Sequence, residues 1–220
     1  MKNRSLQQIV ESQVQRWQLL KKTAPEKQPS PVITLSREPG SGGRVIAEAL
    51  AQELTFDIFH QEMIHQLSES THVQQRLLET LDEKGMNVLE EWISALVNKR
   101  HLWPDQYLKY MMQLVGVIGK HGNAVVVGRG GNFILPPERC LRLRVIAPLR
   151  VRIENVAKLH NVDRQQAERR IIRTESERKA FIRKYFNADI ADPLHYDMVL
   201  NTELLDVKAA VSAVRGALGR

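Results

Sequence analysis

An α/β fold built on a parallel sheet is what the sequence predicts, and three stretches lead to it. Residues 31–54, PVITLSREPGSGGRVIAEALAQEL, place a short apolar strand, a glycine-rich turn and an amphipathic helix in immediate succession. Residues 123–131, NAVVVGRGG, contain a continuous apolar run suited to a strand buried on both faces. Residues 141–146 alternate Leu, Val and Ile with Arg142 and Arg144 and read as a further strand.

Taken in order, residues 5–22 put Leu6, Ile9, Val10, Val14, Trp17 and Leu19 or Leu20 at helical spacing, one apolar stripe on an otherwise polar helix. That stripe needs a cover, either its own domain or a second copy in a homodimer. The run TAPEKQPSP at 23–31 carries three prolines and reads as a linker, so 1–30 form an N-terminal helical extension and linker and 31–220 the main domain. The first strand spans 32–35, and the helix at 44–54 carries Val45, Ile46, Ala49, Leu50 and Leu54 at helical spacing. A short second strand is expected at 56–59 and a helix start at 61–68, after which the pattern stays helical to Lys120, with a break at Trp103-Pro104. Arg129 emerges at the carboxyl end of the 124–127 strand. Ligands of open α/β sheets bind outside those ends, so Arg129 would face the same crevice as the glycine turn. Pro148 opens a long basic helical region, 198–200 is the last strand and 205–218 the closing helix.

The glycine turn is built for an anion. Gly40, Gly42 and Gly43 lack the Cβ that holds ligand oxygens away from a backbone, so consecutive N–H groups can converge on a phosphate at the helix N-terminus. The match to the phosphate-loop signature is incomplete: Gly43 stands where that signature has lysine, and Arg44 and Val45 follow where a hydroxyl residue is required. Arg44 would have to reach back with its donor fork, and Ser36, Ser41 or water would have to replace the missing magnesium ligand.

Composition narrows the partners. With 43% hydrophobic residues in 220, one sizeable core is expected, and a net charge of +7 favours anionic ligands. Aromatics are 5% of the chain and are not interleaved with the basic clusters, which weighs against nucleic acid as a partner. Cys140 is solitary, so no intrachain disulfide is expected, and no apolar run reaches the length of a membrane span. The N-terminus is polar after Lys2 and Arg4, without a hydrophobic signal region, and a soluble cytoplasmic protein is expected. His60 and His65 are five apart with no Cys or carboxylate cluster, a poor metal set, and no Asp-His pair is placed to activate Ser36 or Ser41.

With these pieces in order, the chain from Val32 onward resembles the cytidylate kinase-like family of P-loop nucleoside monophosphate kinases. The resemblance rests on ITLSREPGSGGRVIAEALA, VVVGRGGNFIL and RTESERKAFIRKYFNADIADPLHYDMVLNT. It implies a three-layer α/β/α P-loop NTPase fold with a helical monophosphate-binding segment at 64–120 and a lid at 150–183. It also implies transfer of the γ-phosphoryl group of ATP to CMP or dCMP, with Mg2+ bridging the donor phosphates. Carried over by position, Gly40, Ser41, Gly42, Gly43, Arg44 and Val45 would bind the ATP phosphates, and Arg37 and Arg129 the acceptor. Arg44 and the lid arginines Arg173, Arg178 and Arg183 would act in catalysis. For each lid arginine the alternative is a solvated helix surface paired with Glu168, Glu175 or Glu177. Asp192 either orients a lid arginine or caps a turn. The chain departs from cytidylate kinases proper at Gly43, at Gly130, which stands where they carry an acid, and at His60, where an acid is expected. Two other functions compete: a nucleotide-binding regulatory protein that kept the fold without the chemistry, and a basic nucleic-acid-binding module for which only the charge speaks.

Overall fold

The computed structural model describes residues 6–23 and 31–219. Five strands, β1 (Val32–Arg37), β2 (Asp57–Phe59), β3 (Ala124–Val127), β4 (Cys140–Ile146) and β5 (Met198–Asn201), form one sheet in the order β2-β3-β1-β4-β5. Every pairing is parallel, with Ile33 of the central strand opposite both Val125 and Leu141. The strands lie where the sequence places them, each within two residues at either end.

Alternation along the strands divides the core into two faces. Ile33, Leu35, Val125, Val127, Leu143 and Val145 pack against Ile46 and Leu50 of α2 (Gly43–Leu54) and Val211 and Val214 of α10 (Val207–Ala217). Val32 and Val126 face the other way, onto α3 (Gln61–Glu69) and α6 (Gln106–His121) through Ile64, Val115 and Ile118. Helices on both faces of a parallel sheet make the three-layer α/β/α arrangement that the resemblance implies.

The helical stretch expected without a break from residue 61 to the Trp103-Pro104 pair is instead three helices, α3, α4 (Thr71–Leu78) and α5 (Glu83–Arg100), with α6 after that pair. Asp82 starts α5 by accepting from the Gly85 N–H at 2.8 Å, and Asp105 starts α6 through the Leu108 N–H at 2.8 Å. The basic region after Pro148 is also two helices, α8 (Leu149–His160) and α9 (Arg164–Phe186), closed around a small core of Ile153, Val156, Ala167 and Ile171. Asn161 in the left-handed region ends α8, and the Asp163 carboxylate caps α9 at Gln166 N, which is why a continuous basic pattern turns back on itself. A short helix, α7 (Gly131–Ile134), follows β3.

The N-terminal helix α1 (Leu6–Thr23) packs on its own chain. Val10, Val14 and Trp17 are buried in the α3–α6 core, and the Trp17 ring stacks on His121 with centroids 4.0 Å apart. Arg16 and Gln13 both reach Asp57 at the start of β2, at 2.6 and 2.8 Å. These three apolar side chains are therefore not free to pair two copies, and of the stripe's described residues only Leu19 is exposed. Of the linker expected at 23–31, Thr23 is the last residue of α1 and residues 24–30 lie outside the described residues. No described helix is long and apolar enough to cross a membrane.

Two outcomes follow from this packing. Trp17→Ala should destabilise the protein by about 3–5 kcal/mol in urea unfolding, the range for truncating a buried aromatic. Cys140 is buried with Sγ 3.5 Å from the Pro136 carbonyl oxygen, and burial pushes its thiol up to about 12. It should resist iodoacetamide at pH 8 in the native protein and react readily in denaturant, because the thiolate is the nucleophile.

Candidate active site

Beyond the carboxyl end of β1 the chain enters the glycine turn with Gly40 at φ 81° and Gly42 at φ 74°, both left-handed. Gly42 precedes α2 and no side chain caps the helix there, so the first-turn amides of Gly43, Arg44 and Val45 are left for a ligand. A Cβ on Gly40 would lie 2.5 Å from the Arg152 carbonyl oxygen, because this turn is pressed against the backbone of α8. Asn155 of α8 donates to the Gly40 carbonyl at 2.9 Å.

Glu38 anchors the turn from beneath. Its carboxylate accepts from Ala147 N at 3.1 Å and sits 3.5 Å from Arg152 Nε and 3.8 Å from Arg144 Nη2. Both arginines are buried. Arg152 donates onward to Glu175 of α9 at 2.7 Å, while Arg144 donates to Ser36 Oγ at 3.1 Å. Ser41 Oγ donates to the Glu38 carbonyl at 2.9 Å and Thr202 holds the Ser41 carbonyl at 2.8 Å. The turn is thus fixed to β4, β5, α8 and α9 together.

The two serines offered as magnesium ligands do not fit that task. Ser41 Oγ belongs to a side chain with almost no exposure, turned onto the Glu38 carbonyl. Ser36 Oγ accepts from Arg144 and lies 3.3 Å from the Tyr196 hydroxyl. No group of three or more His, Cys, Asp or Glu among the described residues is arranged to hold a metal ion.

Next to the turn, a cavity of about 200 Å³ opens between the carboxyl ends of β1 and β3 and the inner face of α9. Arg37, Arg129 and Arg178 all line it. Arg129 adopts φ 51° between Gly128 at 78° and Gly130 at 70°, which turns its side chain off the end of β3. Its guanidinium lies over the Phe181 ring, 5.2 Å from the centroid, and Nε points to the Gln61 carbonyl at 3.5 Å. Arg178 donates to the Arg37 carbonyl at 2.7 Å, and its buried Nε has no partner among the described residues. Burial, then the nearby Arg178 charge, pushes the Arg37 guanidinium down to about 10, with Arg44 and Arg129 adding to the effect against Glu62. Arg178 is depressed as well, by burial first. Three crowded cations outnumber the one carboxylate that lines the cavity, Glu177, which is paired with Arg173, and such an excess of positive charge is the electrostatic form of an anion site.

The remaining expected residues fall elsewhere. Arg44 is exposed and bonded to Glu48 at 3.0 Å, yet close enough to act on Arg37 and His60. Arg173 has its side chain 83% exposed and is paired with Glu177 at 2.9 Å, the solvated-surface alternative, and Arg183 is exposed too; neither lines the cavity. Asp192 caps a turn by accepting from Leu194 N at 2.9 Å. His60, at the N-cap of α3, is pushed down by burial and then by Arg44, and its Nε2 lies 3.7 Å from Glu48. Gly130 has a steric reason: a Cβ there would sit 2.2 Å from the Phe186 ring, so no acid fits. Sequence reasoning missed Glu38, Arg144, Arg152, Gln61 and Phe181. The two arginines alternating with apolar residues in β4 were the available signal, for Arg144.

The sequence profile of the cytidylate kinase-like family matches residues 32–204. The chain is 25% identical over 192 residues to a cytidylate kinase of Methanocaldococcus jannaschii, covering 85% of this chain and 97% of that one. It is 29% identical over 190 residues to a cytidylate kinase of Methanocella arvoryzae, with coverage of 85% and 96%. Among solved structures, an uncharacterised protein from Eubacterium ventriosum superposes with a TM-score of 0.65 at 16% identity, covering 86% of this chain and 99% of that one, which speaks for the fold. The profile match spans most of the chain and takes in both the glycine turn and the arginine-lined cavity beside it, and the chain belongs to the cytidylate kinase-like family.

Proposed function

We propose that the protein is an ATP-dependent nucleoside monophosphate kinase that phosphorylates CMP or dCMP to the diphosphate. The observation that carries this reading is the cavity where Arg37, Arg129 and Arg178 converge, its one lining carboxylate, Glu177, being paired with Arg173, beside a helix N-terminus with open amides. The cytidylate kinases of similar sequence support the choice of acceptor.

In this reading the amides of residues 43–45 hold the donor phosphates, and Arg129 and Arg178 hold the acceptor phosphate. An acceptor phosphate oxygen attacks the γ-phosphorus in line as the bond to the β,γ-bridging oxygen breaks, and ADP leaves with that electron pair. Charge spreads over the transferred oxygens, so positioning and neutralisation by guanidinium groups supply most of the catalysis. Helices α3–α6 would form the acceptor segment. The α8–α9 hairpin would be the lid, which keeps out the water that would hydrolyse ATP.

A coupled assay with purified protein, ATP, magnesium and each monophosphate in turn tests the reading. CMP or dCMP should give the highest kcat/KM, and ATP binding without turnover on any monophosphate would assign the regulatory role instead. Arg129→Ala should lower kcat/KM for the acceptor by about 10- to 100-fold, the worth of one charge-assisted contact. Arg152→Met, which removes the anchor under the glycine turn, should destabilise the fold by about 3 kcal/mol in urea unfolding and weaken ATP binding more than CMP binding.

A further inference from the structure

The glycine turn lacks a lysine for a steric reason. A Cβ built on Gly43 would lie 2.7 Å from Arg37 Cβ, 3.4 Å from Arg37 Cγ and 3.2 Å from Val145 Cβ. A side chain at 43 therefore cannot be placed without displacing the stem of Arg37, and it crowds Val145 as well. The stem of Arg37 occupies the space through which a lysine at 43 would leave the first turn of α2.

The far end of Arg37 shows where that charge goes. Its Nη1 lies 3.0 Å from the place a Cβ on Gly128 would take, and 3.5 Å from Gln61 Oε1. One side chain thus runs from the first turn of α2 to the loop after β3, across the ground between the open amides and the Arg129 segment. Among the described residues no carboxylate makes an ion pair with it, and Glu177 at the cavity wall is held by Arg173. Glu38 is held beneath the turn by Ala147, Arg144 and Arg152, Glu48 is bonded to Arg44, and Glu62 acts on Arg37 only as a neighbouring charge. Arg178 fixes the Arg37 backbone by donating to its carbonyl oxygen. A buried, positioned guanidinium without an ion-pair partner among the described residues favours a bound anion, and its place between donor and acceptor loops selects which one.

We propose that Arg37 takes over the role of the absent loop lysine, its guanidinium binding the terminal phosphate of the nucleoside triphosphate donor rather than serving the acceptor alone. This rests on the kinase reading above and deepens it. The atypical loop is then an exchange of one cation's position for another, not a loss of chemistry.

Calorimetric titration of ATP into the full chain, without acceptor, tests the exchange. Arg37→Met keeps the stem and removes the charge, and should weaken ATP binding by about 10- to 100-fold. Gly43→Lys alone should also weaken it, whereas the double variant Arg37→Gly/Gly43→Lys should bind ATP within about tenfold of the native chain and more tightly than either Arg37→Gly or Gly43→Lys alone. Thermal unfolding of each variant identifies any that does not fold, and Arg37→Met, which introduces no clash, decides the matter if Gly43→Lys is one of these. The proposal is overturned if Arg37→Met binds ATP within about threefold of native while CMP binding collapses, or if the double variant folds and binds no better than the weaker single. A native chain that binds ATP but phosphorylates no monophosphate overturns the kinase reading and leaves this one standing; a native chain that binds no ATP overturns both.

Discussion

A carboxylate clasped by two buried arginines sets the shape of everything at the mouth of this sheet. Glu38 is the first residue after β1, and it is drawn beneath the glycine turn by Arg144 of β4 and Arg152 of α8. Taking such charges out of water is costly unless each finds partners, and here each does: Ala147 N, Ser36 Oγ, the Ala147 carbonyl and Glu175 complete the set. An arrangement of that kind has few alternatives of similar energy. Its contribution is to specify one backbone path for residues 38–43, on which the direction of the α2 amides depends.

The same network ties the α8–α9 hairpin to the sheet, and so connects the two sides of the cavity. Gly40 touches the α8 backbone, Glu175 of α9 receives Arg152, and Arg178 three residues later bonds to the end of β1. The hairpin has its own small core, and Arg152, Asn155 and Arg178 join it to the turn and to the end of β1.

Most of the fold was legible because its signals are local. Apolar runs marked β1, β3 and β4, prolines and glycines marked the breaks, and parallel strands buried on both faces announced themselves by composition. The lengths of the long helical stretches were not legible, since the caps at Asp82 and Asp163 are single residues in otherwise periodic sequence. At the site, Arg129 could be placed because it follows directly on an apolar strand. Arg178 could not be separated from Arg173 and Arg183, because the phase of α9 is set by Ile171, Ile182 and Phe186 packing inward, a tertiary fact. The reasons for Gly43 and Gly130 were equally hidden. Each glycine is required by a side chain brought to it by the fold, Arg37 in one case and Phe186 in the other.

Helix α9 is 23 residues long, about 34 Å from end to end, and it is fastened at its C-terminal end where Phe186 lies under Gly130 and against Phe133. A rod pivoting there by ten degrees would carry its Arg164 tip through roughly 6 Å but Arg178, about 12 Å from the pivot, through only roughly 2 Å. The gearing is uneven: a wide swing at the rim corresponds to a small stroke of the Arg178 guanidinium inside. The seat beneath the Arg129 loop stays still throughout.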